Sequence, residues 1–215
     1  MEIKEYSQVG MDAVSERQTI IIGMSVNNSY FNESNIEKLL LWAREKTDSV
    51  FVMIPDKPAV DTFLSLGYSN EESERKARLK SNNLENKCRV IIKRHDIQGI
   101  TIIRWNDVVG SLRYVESIRD IKYSYDDDME FKEKLRLTTK GVLSYAGKTE
   151  ITDNVIDYGV LFLLQELAFI ARSTLILKKE KVAYVYHQTM EVLKNIFENK
   201  YQFAADPNVG FVTVG

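Results

Sequence analysis

The run Thr19-Ile-Ile-Ile-Gly-Met24 is short, apolar and β-branched, and it gives way to small and polar residues. That pattern predicts a buried strand feeding a loop. From Asn32 to Lys46 the apolar positions Ile36, Leu39, Leu40 and Ala43 recur at helical spacing, with Ser34 and Asn35 as candidate caps. Ser49-Val-Phe-Val-Met-Ile-Pro55 is a second apolar strand, stopped by a proline that has no N–H to donate to a ladder. Strand, helix and strand of these lengths make a βαβ unit, and uninterrupted apolar strands suit a parallel sheet covered on both faces. Gly99 to Trp105 and Ala183 to His187 read as further strands, with helical stretches between and after them.

No proline falls between Pro58 and Pro207, no Gly/Ser-rich linker marks a boundary, and no internal repeat is present. The expectation is one α/β domain over residues 1–215, a mostly parallel sheet flanked by helices, with residues 1–17 as a peripheral or flexible N-terminal segment. The composition is that of an ordinary globular protein, 44% hydrophobic and 28% charged, which excludes a disordered or collagen-like chain. A single cysteine, Cys88, excludes an internal disulfide, and two histidines, His95 and His187, leave too few ligands for a zinc site. No cofactor is expected. The polar opening residues lack the apolar core of a signal peptide, and Tyr158 to Ala171 is too short for a membrane span. The chain therefore reads as cytoplasmic, with no membrane partner.

Four places offer chemistry. The first is the loop Gly23-Met-Ser25-Val-Asn-Asn28-Ser-Tyr-Phe31, placed where parallel sheets collect ligands, beyond the carboxyl end of a strand. It is not a dinucleotide fingerprint, a P-loop or a G-x-S-x-G elbow. A plain turn whose Ser and Asn side chains bond their own backbone would also account for it. The second is Glu166, the only charged residue from Tyr158 through Ala171, on one helical stripe with Tyr158, Phe162 and Ile170. A carboxylate in so apolar a segment is either a structural group satisfied by a Tyr or Arg, or an acid, base or ammonium-binding group.

The third is a basic stretch containing Arg75, Lys76, Arg78, Lys80, Lys87, Arg89, Lys93 and Arg94 against Glu85 alone, a local net of +7 in a chain of net charge −2. On a helix, Ala77, Leu84 and Cys88 would form its apolar seam. A helix of single sign on an otherwise acidic protein points to a polyanion such as RNA. No base-reading signature accompanies it, and the acidic balance elsewhere excludes a general DNA-coating protein. The fourth is Tyr184-Val-Tyr186-His187, whose alternation puts both tyrosines on one face of a strand. A Ser25–His187 catalytic pair is conceivable, and spacing alone leaves it open. Asp126-Asp-Asp128 matches a helix N-terminus.

Together these residues resemble the cyclodipeptide synthases. The resemblance rests on Gly23-x-Ser25-x-x-Asn28-Ser-Tyr-Phe31 after a strand, Pro55-Asp56, Leu66-Gly-Tyr68, Lys76-Ala-Arg78, Glu166 in an apolar helix and Tyr186-His187 shortly after, in that order from Ile20 to Asn199. It implies a Rossmann-like fold similar to class I aminoacyl-tRNA synthetase catalytic domains, and a reaction that joins two aminoacyl-tRNAs into a diketopiperazine without ATP. It implies Ser25 as the acyl-accepting nucleophile, Glu166 as the ammonium-binding and proton-transferring group, and Tyr186 in ring closure. Asn28, with Tyr186 and His187, matches the family's Asn-Tyr-His branch and would help hold the aminoacyl group. The basic stretch would hold tRNA phosphates, and Gly23 would leave room beside the amino-acid pocket.

One departure stands out: the family usually has Tyr four residues before this Glu, and here that position is Phe162. The usual hydroxyl helps to orient the aminoacyl amine, so a hydrogen bond to the ammonium is lost here; a charge-assisted bond of that kind is worth about 1.5–3 kcal/mol, and Tyr158 is a candidate replacement. Ile21, Val52 and Phe169 are candidate walls of an apolar first pocket, which favours leucine. A monomer is expected. The competing readings are a non-catalytic tRNA-binding protein on the same fold and a serine esterase or amidase.

Overall fold

The computed structural model describes residues 1–215. The first half runs β1 (Ile3–Tyr6), α1 (Gln8–Ser15), β2 (Thr19–Gly23), α2 (Glu33–Lys46), β3 (Val50–Ile54), α3 (Ala59–Ser65), α4 (Asn70–Arg94) and β4 (Ile100–Arg104). The second half runs α5 (Trp105–Val108), α6 (Leu112–Asp127), α7 (Met129–Tyr145), α8 (Asp153–Ala171), α9 (Ser173–Leu177), β5 (Val182–Tyr186), α10 (Glu191–Phe197) and β6 (Val209–Val214). All four expected strands form, and so does the helix after the first of them. Its cap is Asn32, whose side chain accepts from the Asn35 N–H, in place of the expected Ser34 or Asn35. Asp128 does cap α7, accepting from the Phe131 N–H.

The strands form one sheet in the order β1-β6-β5-β2-β3-β4, parallel from β6 to β4. The chain moves outward from β2 through β3 to β4 and then returns to β5 on the other side. The switch point of this topology therefore lies between β2 and β5, where the carboxyl ends of two strands open a crevice.

Alternation along the strands sends side chains to two separate cores. Ile21, Met53, Tyr184 and Phe211 pack against the face covered by α6, α7, α8 and α10. Ile20, Ile22, Val52, Ala183, Val185 and Val212 pack against the face covered by α1, α2 and α4. Both sides being buried explains why the central strands carry no polar alternation. Helix α8 is apolar on nearly all sides because it fills the middle of the first core, against α3, α6 and α7. It begins five residues before Tyr158, so by length and composition it is a possible membrane span. The expectation that it is too short is corrected on that point, and the fold accounts for its hydropathy by burial.

The N-terminal segment forms one edge of the sheet. Residues 3–15 form a strand and a helix that pack on β6. β1 is the antiparallel edge strand on β6, and α1 buries Gly10, Ala13 and Val14. Ser7 Oγ accepts from both the Gly10 and Phe211 N–H groups, at 3.2 and 3.0 Å. Gly10 and Gly210 meet backbone to backbone, and a Cβ on either would overlap the other chain segment. β1 and β6 were not read from the sequence.

Candidate active site

The crevice at the switch point brings together residues from β2, β5 and α8. Ser25 lies two residues beyond Gly23, the last residue of β2. Its Oγ is 2.7 Å from the hydroxyl of Tyr186, the last residue of β5. Asn28 Oδ1 accepts from the Tyr30 N–H at 2.9 Å, so the loop does contain the self-bonded turn. Its Nδ2, however, donates across the crevice to His187 Nε2 at 2.9 Å. A plain turn is therefore an incomplete account: one amide shapes the loop and grips the facing strand at the same time.

That bond assigns His187 its tautomer, since Nε2 must be unprotonated to accept. Burial also lowers the His187 pKa, so the ring is neutral at physiological pH. Tyr30 stacks on it, centroids 4.1 Å apart and 16° from parallel, and Phe31 closes the edge. Ser25 thus bonds Tyr186 while His187 bonds Asn28. The Ser25–His187 pair considered from the sequence is not formed, which counts against a serine hydrolase.

Glu166 is 6% exposed and lies on the α8 face that packs against Tyr184. Burial raises its pKa to about 7, opposed by a hydrogen bond from the Tyr184 hydroxyl at 3.4 Å. A carboxyl group poised there can bind an ammonium when ionised and exchange a proton near neutral pH. Burial, helped by the negative charge of Glu166, pushes the Tyr186 hydroxyl well above its ordinary value, against the bonds from Ser25 and Asn28. Tyr186 therefore stays protonated rather than becoming an anion.

Several expected site residues stand differently. Tyr158 is exposed and has no bond to Glu166, so it does not replace the hydroxyl absent at Phe162. Phe162 packs against the first core from a half-buried position. Ile21 and Phe169 lie fully buried on the Glu166 side of the sheet. Val52 does not: it points into the other core, because β3 runs in register with β2 as Ile22↔Val52 and Gly23↔Met53. Met53 holds the position on the Glu166 face that was assigned to Val52. The space over Gly23 is filled by the Tyr184 ring and hydroxyl, which a Cβ would overlap. Gly23 thus admits a side chain of the protein rather than leaving an open margin. Tyr184 was missing from the expected site, and its shared face with Tyr186 was the signal for it.

The basic stretch lies on α4, a helix of 25 residues with a Ser69–Glu72 capping box. Its cations divide into two sets. Arg89 pairs with the buried Glu85, which also receives Arg104 from β4. Arg94 pairs with Glu33, Lys76 lies over the Tyr68 ring, and Lys87 reaches the Phe31 carbonyl at 3.4 Å. Arg75, Arg78, Lys80 and Lys93 are exposed and carry no ion pair or side-chain hydrogen bond. The Lys87 contact ties the helix to the end of the Ser25 loop, whose Phe31 ring lies 5.8 Å from that of Tyr186.

A serine hydroxyl, its tyrosine partner and a buried carboxyl group, grouped at the switch point of a mostly parallel sheet, make a candidate acyl-transfer site on a Rossmann-like domain. The chain belongs to the cyclodipeptide synthase family, whose model, "Cyclodipeptide synthase", matches residues 2–215. It is 24% identical over 202 residues to the cyclo(L-leucyl-L-leucyl) synthase of Staphylococcus haemolyticus (strain JCSC1435), covering 91% of this chain and 86% of that one. The solved structure of a cyclodipeptide synthase from Staphylococcus haemolyticus superposes with a TM-score of 0.90 at 22% identity, covering 100% and 99% of the two chains. A structure from Mycobacterium tuberculosis has a TM-score of 0.84 at 20% identity, covering 99% of this chain and 94% of its own. It is described as demonstrating that cyclodipeptide synthetases are related to type I tRNA synthetases.

Proposed function

We propose that this cyclodipeptide synthase works through an aminoacyl ester on Ser25. In the first step Ser25 Oγ attacks the ester carbonyl of one aminoacyl-tRNA. The bond to the terminal ribose breaks, the Ser25 proton ends on the ribose oxygen, and tRNA leaves. One ester replaces another, so no ATP is consumed. The amine of a second aminoacyl-tRNA then attacks the aminoacyl-Ser25 carbonyl, releasing the serine and leaving a dipeptidyl-tRNA. The free amine of that dipeptide attacks its own ester carbonyl, which closes the six-membered ring and frees the second tRNA.

The Ser25–Tyr186 hydrogen bond, formed beside a buried carboxyl group, is the observation that carries this reading. Glu166 in its ionised form would hold the ammonium of the first amino acid. The carboxylate would also take up a proton as the attacking amine becomes an amide. Tyr186, held protonated, would pass a proton to and from Ser25 and the ring-closing centre. Asn28 and His187 fix the loop against β5 and so hold Ser25 in place. Arg75, Arg78, Lys80 and Lys93 are the cations left over to meet tRNA phosphates.

The name of the Staphylococcus haemolyticus relative, together with the apolar walls Ile21, Met53 and Phe169, supports leucine as the preferred residue. Aminoacyl-tRNA is a cytoplasmic substrate, which supports a cytoplasmic enzyme. The test is mass spectrometry of medium from cells expressing this chain beside a Ser25→Ala control. Cyclo-dileucine or another leucine-containing diketopiperazine is expected with Ser25 only. Product from both cultures would remove Ser25 from the mechanism. Product without leucine would overturn the pocket reading, and silence from both would favour tRNA binding without catalysis.

A further inference from the structure

Glu166 has a single hydrogen-bond partner, and that partner lies outside its own helix. One turn earlier on the same stripe of α8 is Phe162, which has no hydroxyl, and two turns earlier is the exposed Tyr158. The Tyr184 hydroxyl arrives instead from β5, across the sheet-to-helix interface, and ends on Glu166 Oε1. Tyr184 is 2% exposed, with no other hydrogen bond to its hydroxyl. Its position depends on the register Ile21↔Tyr184, which lays the ring along β2 so that the hydroxyl passes over Gly23. Any side chain at residue 23 would occupy that place.

We propose that Tyr184 is the positioning residue for Glu166: its hydroxyl supplies from the sheet the bond that Phe162 cannot supply from the helix, and Gly23 is glycine to admit it. The inference deepens the aminoacyl-transfer reading above and rests on it for its catalytic meaning. Tyr184 is suited to the task because burial and the neighbouring carboxylate keep its hydroxyl protonated throughout the working pH range. It is therefore a permanent donor, and the bond it makes favours the ionised form of the acceptor.

The other charged groups near α8 are engaged elsewhere. Asp61 of α3 accepts from Gln165 at 2.7 Å, and Lys122 of α6 acts on Asp61. Arg136 of α7 pairs with Asp153 and Asp157 at the far end of the helix. From β5, Tyr186 feels the Glu166 charge while bonding Ser25. Burial is the main cause of the raised Glu166 pKa, no cation faces the carboxyl group, and the Tyr184 bond is the one interaction that opposes burial by favouring the ionised form.

The test is the titration of the Glu166 side-chain carbon by NMR with ¹³C-labelled glutamate, the resonance being assigned by its loss in Glu166→Gln. In Tyr184→Phe the midpoint is expected to move upward, with the single-turnover rate at neutral pH falling about tenfold, the scale of one lost bond to a charged group. Adding Phe162→Tyr to that variant is expected to bring both back toward their starting values. Gly23→Ala, which forces the Tyr184 hydroxyl aside, should move the midpoint in the same direction as Tyr184→Phe. An unmoved midpoint in Tyr184→Phe overturns the inference whatever the rate does, since a ring that only fills space would leave the titration alone. Failure of the unaltered chain to make any diketopiperazine would count instead against the aminoacyl-transfer reading, and the titration would still decide the role of Tyr184.

Discussion

A carboxyl group that releases its proton at about pH 7 in the fold and near its ordinary 4.5 in an unfolded chain makes the folded state the better proton binder. For Glu166 the sign follows from that difference. Below the unfolded value both states are protonated and nothing is lost. As pH rises the unfolded chain ionises first, stability falls, and the loss is complete once the folded group also ionises, just above pH 7. The shift corresponds to about 3 kcal/mol. Glu166→Gln lacks this term, so urea unfolding at about pH 4 and pH 8 should show the variant gaining about 3 kcal/mol on the parent protein between the two. A gap that stays constant with pH would mean that Glu166 is not desolvated as the fold describes. A group with that cost is tolerated at a site of chemistry, where an ionisable carboxyl group near neutrality is what an ammonium substrate requires. On the proposed mechanism, in which the ionised form holds the ammonium, the same titration predicts an aminoacyl-transfer rate that climbs through about pH 7.

At the scale of elements, α1 crosses β6 so closely that Gly10 has no room for a methyl group beside the Phe211 backbone. Gly10→Ala should therefore lower the urea midpoint, by about 1–3 kcal/mol in free energy, the usual cost of forcing atoms into a packed interface. An unchanged midpoint would show that the crossing is loose and that the N-terminal segment is as dispensable as its sequence makes it look. That segment was hard to read for a physical reason. Ile-Lys-Glu-Tyr in β1 is four residues long and half exposed, and its strand character comes only from pairing with Val212 to Val214 some two hundred residues later. β2, β3 and β5, buried on both faces, announce themselves as unbroken apolar runs.

The site divides in the same way. Glu166 stood out as the one charge in an apolar helix, whereas Ser25, Asn28, Tyr186 and His187 were legible through the order of motifs that resembles the cyclodipeptide synthases. Val52 was named as a wall and Met53 was not, since nothing local tells which of two adjacent strand residues faces α8. The register that decides it, Gly23↔Met53, is a property of the assembled sheet. Tyr184 was passed over because its partners, Glu166 and Gly23, meet it only through that same assembly.

Charge is the property that acts over the whole molecule. Outside the Arg75–Arg94 stretch the chain carries −9, so a polyanion is repelled by most of the surface and meets attraction along α4. Sequence alone counts eight cations there as equals. The fold separates Arg89 and Arg94, whose charges are answered by Glu85 and Glu33, from Arg75, Arg78, Lys80 and Lys93, whose charges are not. Each phosphate contact adds about 0.7–0.9 to the slope of log affinity against log salt, through the counterions it releases. Replacing Arg78 and Lys80 together by alanine should flatten the salt dependence of tRNA binding by about 1.5. Arg94→Ala should leave the slope as it is, because its charge is already answered by Glu33. Binding isotherms over a range of salt concentrations distinguish the two outcomes. Equal slopes for all three proteins would move the tRNA contact off this part of α4. A loss of slope in Arg94→Ala as large as in the double variant would mean that the ion pairs open when tRNA binds, and that all eight cations act together.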